Sequence, residues 1–370
     1  MKTADFIVIG GGIAGISAAA MLSKQASVIV LERETQLGYH STGRSAAMYI
    51  RNYGNTTLRA LNANAEPFFL QPDGVSDSSL LTPRGELLIA REDELDDFES
   101  YANGASGLEL LTPDEAVALV PILRKDKIAA ALIEREAQDI DVDRLFQGYI
   151  RQLRRQGGQI ETRQQVVAMT HSGSEWHVQT TDQEFTAPVV INAAGAWADD
   201  IARLAGIVPV GVTPMRRSAA LLPAPDGHDI SQWPLFASVS EDWYAKPEAG
   251  TLMVSPADED PVEPHDAWAD DMVLAEGIDR FEQAVTISVT KLTHSWAGLR
   301  SFAPDRTPVA GFDPHTNGFF WLAGQGGYGV QTAPALSTLT AAICLGQTPE
   351  LTNETILALS PNRFHSTQKG

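Results

Sequence analysis

Gly10, Gly12 and Gly15 stand between the β-branched run Phe6-Ile7-Val8-Ile9 and an alanine-rich stretch from Ile16 to Leu22. At this spacing each glycine has its own task. Gly10 permits a tight turn, Gly12 lets the backbone approach a pyrophosphate, and Gly15 allows a helix to pack closely on a strand. Ile13 and Ala14 complete the turn, and Ser27-Val28-Ile29-Val30-Leu31 reads as a second buried strand ending in Glu32. A carboxylate there can accept hydrogen bonds from an unphosphorylated ribose, while the helix amino terminus faces the phosphates. The whole is a β-α-β unit for a dinucleotide, with FAD and NAD both open at this point.

Three more stretches suit an extended ligand. Gly38-Tyr39-His40-Ser41-Thr42-Gly43-Arg44-Ser45-Ala46-Ala47 is small and polar with one cation, the texture of a segment that wraps phosphate. Val189-Val190-Ile191-Asn192-Ala193-Ala194-Gly195-Ala196-Trp197 is a buried strand opening through small residues into a helix expected over 199–204. Phe319-Phe320-Trp321-Leu322-Ala323 is another apolar strand, followed by Gly324-Gln325-Gly326-Gly327-Tyr328-Gly329, Val330 and Gln331, then a helix expected from about Thr332 to Leu345. Its amino terminus can hold negative charge, such as develops on a reduced flavin ring.

These residues resemble the D-amino-acid oxidase superfamily of flavoproteins. Glu32-Arg33-Glu34, the 38–47 stretch, Trp296-Ala297-Gly298-Leu299-Arg300-Ser301-Phe302 and Gln325-Gly326-Gly327-Tyr328-Gly329 are most similar to its bacterial FAD-dependent D-arginine dehydrogenases, over nearly the whole chain. The resemblance implies FAD, expected to be noncovalent because the only thiol, Cys344, lies outside the 324–329 loop, and oxidative deamination of a D-amino acid: hydride transfer to flavin N5, then hydrolysis of the imino acid to keto acid and ammonia. It implies Arg33, Val166 and the small residues already named as cofactor contacts. It also implies Arg217 and Arg300 as the clamp on the substrate carboxylate, Tyr244 as their partner, and the Gly327 carbonyl as acceptor for the substrate amine. Arginine's planar fork suits that clamp. No residue is assigned as acid or base.

Tyr53 and Glu86 match positions that contact the far cationic end of a D-arginine side chain. Glu86 interrupts the apolar run after Leu80-Leu81-Thr82-Pro83-Arg84-Gly85, where an acid is costly unless paired. Arg84 is the alternative partner that would make it structural. Met48 stands where those enzymes have a histidine, Ile50 replaces a threonine, and Leu235 and Ala237 replace a methionine and a valine. These departures leave room for N-methylated or cyclic secondary amino acids of the sarcosine, glycine or proline type. A dinucleotide-binding protein without turnover is a further alternative, because fold does not fix function. Oxygen and a membrane quinone both stay open as electron acceptor.

The elements that must position these groups form an α/β chain: a Rossmann-like FAD-binding domain and a second α+β substrate domain on an antiparallel sheet. The resemblance implies that the first is discontinuous, over 1–80, 140–210 and 300–370, with the substrate domain over 81–139 and 211–299. Local signals agree. Asp139-Ile140-Asp141-Val142-Asp143 introduces a helix through about Arg155, stopped by Gly157-Gly158, and Pro214, Pro223, Pro225, Pro247 and Pro256 break the 210–300 region into short β-type runs.

The 370 residues exceed the usual span of one domain and can bury a sizeable core, with 44% hydrophobic content. A net charge of −20 argues against nucleic acid or an anionic membrane surface and favours cationic encounter. The acidic run Glu92-Asp93-Glu94-Leu95-Asp96-Asp97-Phe98 reads as a solvated helix face with Leu95 and Phe98 turned inward. The single cysteine, Cys344, reads as a packed helix residue; with no leader or membrane-length apolar segment, a cytoplasmic location is expected. The histidines show no i,i+4 pair, so no metal site is expected.

Overall fold

The computed structural model describes residues 1–365. Its organising element is a six-stranded sheet in the order Gln159–Glu161, Val28–Leu31, Phe6–Ile9, Val189–Asn192, Phe319–Ala323 and Val309–Phe312. The first five strands run parallel and the last is an antiparallel edge. Parallel strands covered on both faces are apolar throughout, which is why these segments read as continuous hydrophobic runs.

Alternate residues serve the two faces. Val8, Val30, Ile191 and Phe320 pack under the helices Ile13–Leu22, Val142–Arg155 and Gly329–Cys344. Ile7, Ile29, Val190 and Trp321 face a second, four-stranded sheet ordered Lys2–Thr3, Glu184–Ala187, Glu175–Thr180 and Val166–Ser172. The carboxyl-terminal helix begins at Gly329, three residues ahead of the expected start, because Tyr328 is itself helical and caps it.

The second domain is an α+β unit on a ten-stranded sheet. Nearly all its pairings are antiparallel, but Leu235–Ser238 runs parallel to Glu86–Ala90. That pair brings together two segments far apart in sequence and makes the sheet mixed rather than purely antiparallel. The long strands Thr213–Pro223 and His294–Phe302 pair along nine register positions, and Gln325–Gly326 joins them at the sheet edge. The glycine loop of the nucleotide half is thereby stitched to the ten-stranded sheet. Lys246 adds a second tie, donating to the Ala46 carbonyl and to Asp139, each at 3.0 Å.

The acidic run departs from its expected form at one position. Leu95–Ala102 is a helix with Phe98 buried, but Glu94 also turns inward, accepting from the Arg91 amide and the Ser238 hydroxyl at 2.8 Å each. Two fitted donors compensate its burial.

Candidate functional site

A cavity of about 350 Å³ runs from the Gly10 turn to the junction of the two domains. Gly10 has φ +111°, and a Cβ there would sit 2.3 Å from the Ala193 carbonyl oxygen. At Gly15 a Cβ would lie 1.9 Å from the Gly10 oxygen, so this glycine packs the helix to its turn and does not line the cavity. Gly12 differs: a Cβ there would meet nothing nearer than the Thr42 hydroxyl, at 3.4 Å, and so would project into the cavity. Gly11, passed over in the sequence, is just as constrained. Its amide donates to Glu32 at 2.7 Å, and a Cβ would lie 2.5 Å from Leu37.

Glu32 is buried and also accepts from the Glu34 amide at 2.8 Å, while its carboxylate still lines the cavity. Arg33 lies over the Trp197 ring at 4.7 Å, and His40 meets the same ring at 4.6 Å, forming an aromatic wall that sequence reasoning did not single out for His40. Ser41, Thr42, Ser45, Ala46, Val166, Ala194, Gly195, Gly326, Gly329 and Val330 line the cavity together with Ile13 and Ala14.

Some expected contacts do other work. Arg44 reaches the cavity, but its guanidinium is bound to Asp266 and to the carbonyls of Ala267 and Ala297, so it pins the 266–267 segment rather than offering a free charge. Ala47, Tyr328 and Gln331 do not line the cavity. Ala47 bonds within its own turn, Tyr328 caps the last long helix, and the Gln331 amide accepts from Ile50 and donates to Asn62.

Arg217 and Arg300 both line the cavity, from neighbouring strands, and Tyr244 joins them. Arg217 is 8% exposed; one of its Nη atoms pairs with Glu259 at 2.8 Å, and its Nε is buried without a partner among the described residues. Arg300 lies against Gly327, where a Cβ would come within 3.0 Å of the guanidinium carbon, and it donates to the Tyr53 hydroxyl at 3.4 Å. Burial works against the Arg300 charge, but Tyr53, Tyr244, Glu241 and Glu259 outweigh it and hold its pKa above the ordinary value. Burial also pushes the Tyr53 phenol up, so it remains a neutral donor.

For Glu86 the structural alternative falls away. Arg84 is not its partner, because Arg84 pairs with Asp139 at 2.7 Å and donates to the carbonyls of Ser231 and Trp233. Glu86 is 7% exposed, and its only hydrogen bond among the described residues comes from the Tyr101 hydroxyl at 3.3 Å. Its cross-strand neighbour is another buried acid, Glu134, satisfied by the Arg51 amide and the Asn52 side chain. Burial, then the charge of Glu134, pushes the Glu86 carboxyl up to about 8. Glu86 and Tyr53 do not line the cavity itself, yet the charge of Glu241 reaches both, as it reaches Arg300. Met48 also stands off the cavity; with Tyr244 it packs on Leu88, Leu132, Leu235 and Ala237.

The residues present fit a flavin dinucleotide. Among the described residues Ser301 Oγ and Gln325 Nε2, both at the cavity wall, are buried without a partner, and the helix that starts at Gly329 has no side-chain cap, while the Ile13 amide of the first helix donates to the Thr42 hydroxyl at 3.0 Å. Such orphaned groups need a ligand or water. Residues 5–343 match the protein family described as FAD dependent oxidoreductase. The chain belongs to that family. FAD is its cofactor. FAD-dependent oxidoreductase domain-containing protein 1 of Bos taurus is 26% identical across 93% of this chain and 82% of its own length. L-proline dehydrogenase from P. horikoshii superposes with a TM-score of 0.84 at 23% identity, covering 99% of this chain and 98% of that one. Glycine oxidase from Geobacillus kaustophilus gives 0.83 at 20% identity, covering 98% and 99%. At these identities the two structures are likenesses of fold. No helix among the described residues is long and apolar enough to cross a membrane.

Proposed function

We propose that this protein oxidises the carbon–nitrogen bond of a small amino acid, and that a D-amino acid with a cationic side chain is the leading substrate. The observation that carries the reading is the pair Arg217, buried, and Arg300, half-buried, whose guanidinium groups lie on one wall of the cavity. A carboxylate bridging them is fixed in position and in rotation, which is what alignment of an α-hydrogen requires. FAD, when bound, supplies the hydride acceptor. The Gly327 carbonyl accepts a hydrogen bond from the amine, and the Tyr53 hydroxyl, which accepts from Arg300 at 3.4 Å, holds that guanidinium in place. Glu86, buried with no cation beside it, is the group that would meet a distal guanidinium or ammonium.

A second reading has its own support. Glu86 holds its proton at neutral pH, and Met48, Leu235 and Ala237 belong to an apolar cluster around Tyr244. That environment suits a small apolar or cyclic secondary amine such as the proline named for one structural relative. Anaerobic mixing with D- and L-amino acids, sarcosine and proline, following the loss of flavin absorbance, separates the readings. Fast bleaching by D-arginine and D-lysine supports the first. Bleaching by secondary amines alone sinks it.

A further inference from the structure

The second domain has another concavity, of about 500 Å³, on the opposite face of its sheet from Glu86. Its rim and floor carry Arg91, Arg124, Lys127 and Arg280 against only two acids, Glu94 and Glu282. In a chain whose acids outnumber its bases by 47 to 27, that local reversal of sign needs a cause.

The cations are not all neutralised inside the fold. Arg91 is, by Asp93, Glu94 and Asp242. Arg280 is half-buried and held at 3.0 Å by two backbone carbonyls, those of Asp242 and Pro256, which fix its guanidinium without cancelling its charge. Arg124 and Lys127 are exposed, and among the described residues their side chains have no hydrogen-bond or ion-pair partner. Both acids are already occupied: Glu94 accepts from the Arg91 amide and Ser238, and Glu282 from the Val289 amide. The apolar groups between them are Ile89 and Ile287.

We propose that this cleft binds a compact polyanion with a short carbon skeleton, such as a phosphate monoester or a di- or tricarboxylate. Arg280 offers a preset fork, and Arg124 and Lys127 close on the ligand from the rim, three charge-assisted contacts set against the carboxylates of Glu94, paired with Arg91, and Glu282. Among the described residues the side chains of Arg124 and Lys127 tie no element to another. The field of the rest of the molecule repels anions, so binding here depends on these side chains and not on general attraction.

The test is calorimetric titration of the FAD-loaded protein with citrate and, separately, inorganic phosphate, at an ionic strength held constant with sodium chloride. Saturable binding at one site per chain is expected, with the stronger probe distinguishing a carboxylate from a phosphate ligand. The double variant Arg124→Ala, Lys127→Ala touches no internal contact, so it should fold and turn over normally while losing about tenfold or more in affinity. Arg280→Gln should lose as much. In Arg300→Met the binding should persist, because that arginine belongs to the other cavity. Heats that follow ionic strength alone, affinity unchanged in the double variant, or binding abolished by Arg300→Met would each overturn the proposal.

Discussion

Arg217 and Arg300 are diagonal neighbours on one face of a sheet: Arg217 stands opposite Gly298, two residues before Arg300, on the adjacent antiparallel strand. Residues two apart on a strand share a face, so both guanidinium groups emerge on the same side, within reach of one ligand. A Cβ at Gly298 would lie 3.4 Å from the Arg44 Cβ, so the glycine gives the 41–44 segment room against this strand.

That arrangement predicts that Arg300→Met loses about a hundredfold or more in kcat/KM for any amino acid, the cost of a charge-assisted contact that sets the reacting geometry. Arg217→Met should follow, less severely, since Glu259 already takes one of its donors. Both variants should retain flavin absorbance. Steady-state kinetics near the parent value for Arg300→Met would show the clamp to be elsewhere.

Gly12→Ala should fold and lose its cofactor. A Cβ there meets no protein atom within 3.4 Å, so thermal stability of the apoprotein should hold while FAD affinity falls. Gly10→Ala, whose Cβ would strike the Ala193 carbonyl at a backbone angle that alanine rarely adopts, should instead lower the stability of the apoprotein itself. Melting curves of both apoproteins, with flavin titration, check the contrast.

The buried carboxyl of Glu86 has a pH signature. Its folded pKa, about 8, lies above the unfolded value, so the native state holds the extra proton. Folding is therefore unpenalised below the unfolded pKa, and stability is lost progressively as pH rises from there to about 8. Glu86→Gln removes the penalty. It should leave the melting temperature nearly unchanged at pH 4 and raise it by several degrees at pH 9. Equal melting temperatures at both pH values would mean that the carboxylate has a charged partner.

The same proton bears on substrate choice. A cationic side chain binds the ionised form of Glu86, so binding expels the proton, and affinity for D-arginine relative to D-methionine should climb with pH until about 8 and then level off. Taking the ratio cancels the titration of the α-amine, which the two substrates share. In Glu86→Leu the ratio should be flat. A flat ratio in the parent protein favours the secondary-amine reading.

FAD should be released by acid precipitation. The only thiol, Cys344, lies at the end of the Gly329–Cys344 helix, and burial pushes it up to about 12, so no thiolate is at hand for attachment. Colour remaining in the pellet would point to a histidine link.

The β-α-β unit could be read from the chain because each signal is local: a strand, a turn that only glycine can make, a helix, a strand ending in an acid. Glu86 was legible as an anomaly, but its surroundings were not. Arg84 lies two residues away and would share its face in a regular strand; Gly85, at φ +81°, breaks the alternation and turns Arg84 toward Asp139. The groups around Glu86, namely Tyr101, Glu134 and Glu241, arrive by strand pairings and turns that no local pattern encodes. Gly11 was passed over because the fingerprint leaves that position open, whereas here the Leu37 side chain occupies the space. The engagement of Arg44 by Asp266 is a contact across more than two hundred residues, beyond the reach of spacing arguments.

The central parallel sheet also sets a timetable for the ribosome. Phe6–Ile9 is the third strand of the six in space, yet its neighbour Val189–Asn192 waits for Phe319–Ala323, and the Gly329–Cys344 helix that covers both emerges later still. Until that last strand leaves the exit tunnel, the apolar edge of Val189–Asn192 stands open, and flavin has no complete pocket to enter. The nascent chain must therefore stay unassociated through most of its synthesis with an unpaired strand exposed, the condition under which aggregation competes with folding. A chain interrupted before Phe319 would lack flavin and would also carry a sticky edge, so premature stops late in the coding sequence should yield aggregates in place of a smaller working enzyme.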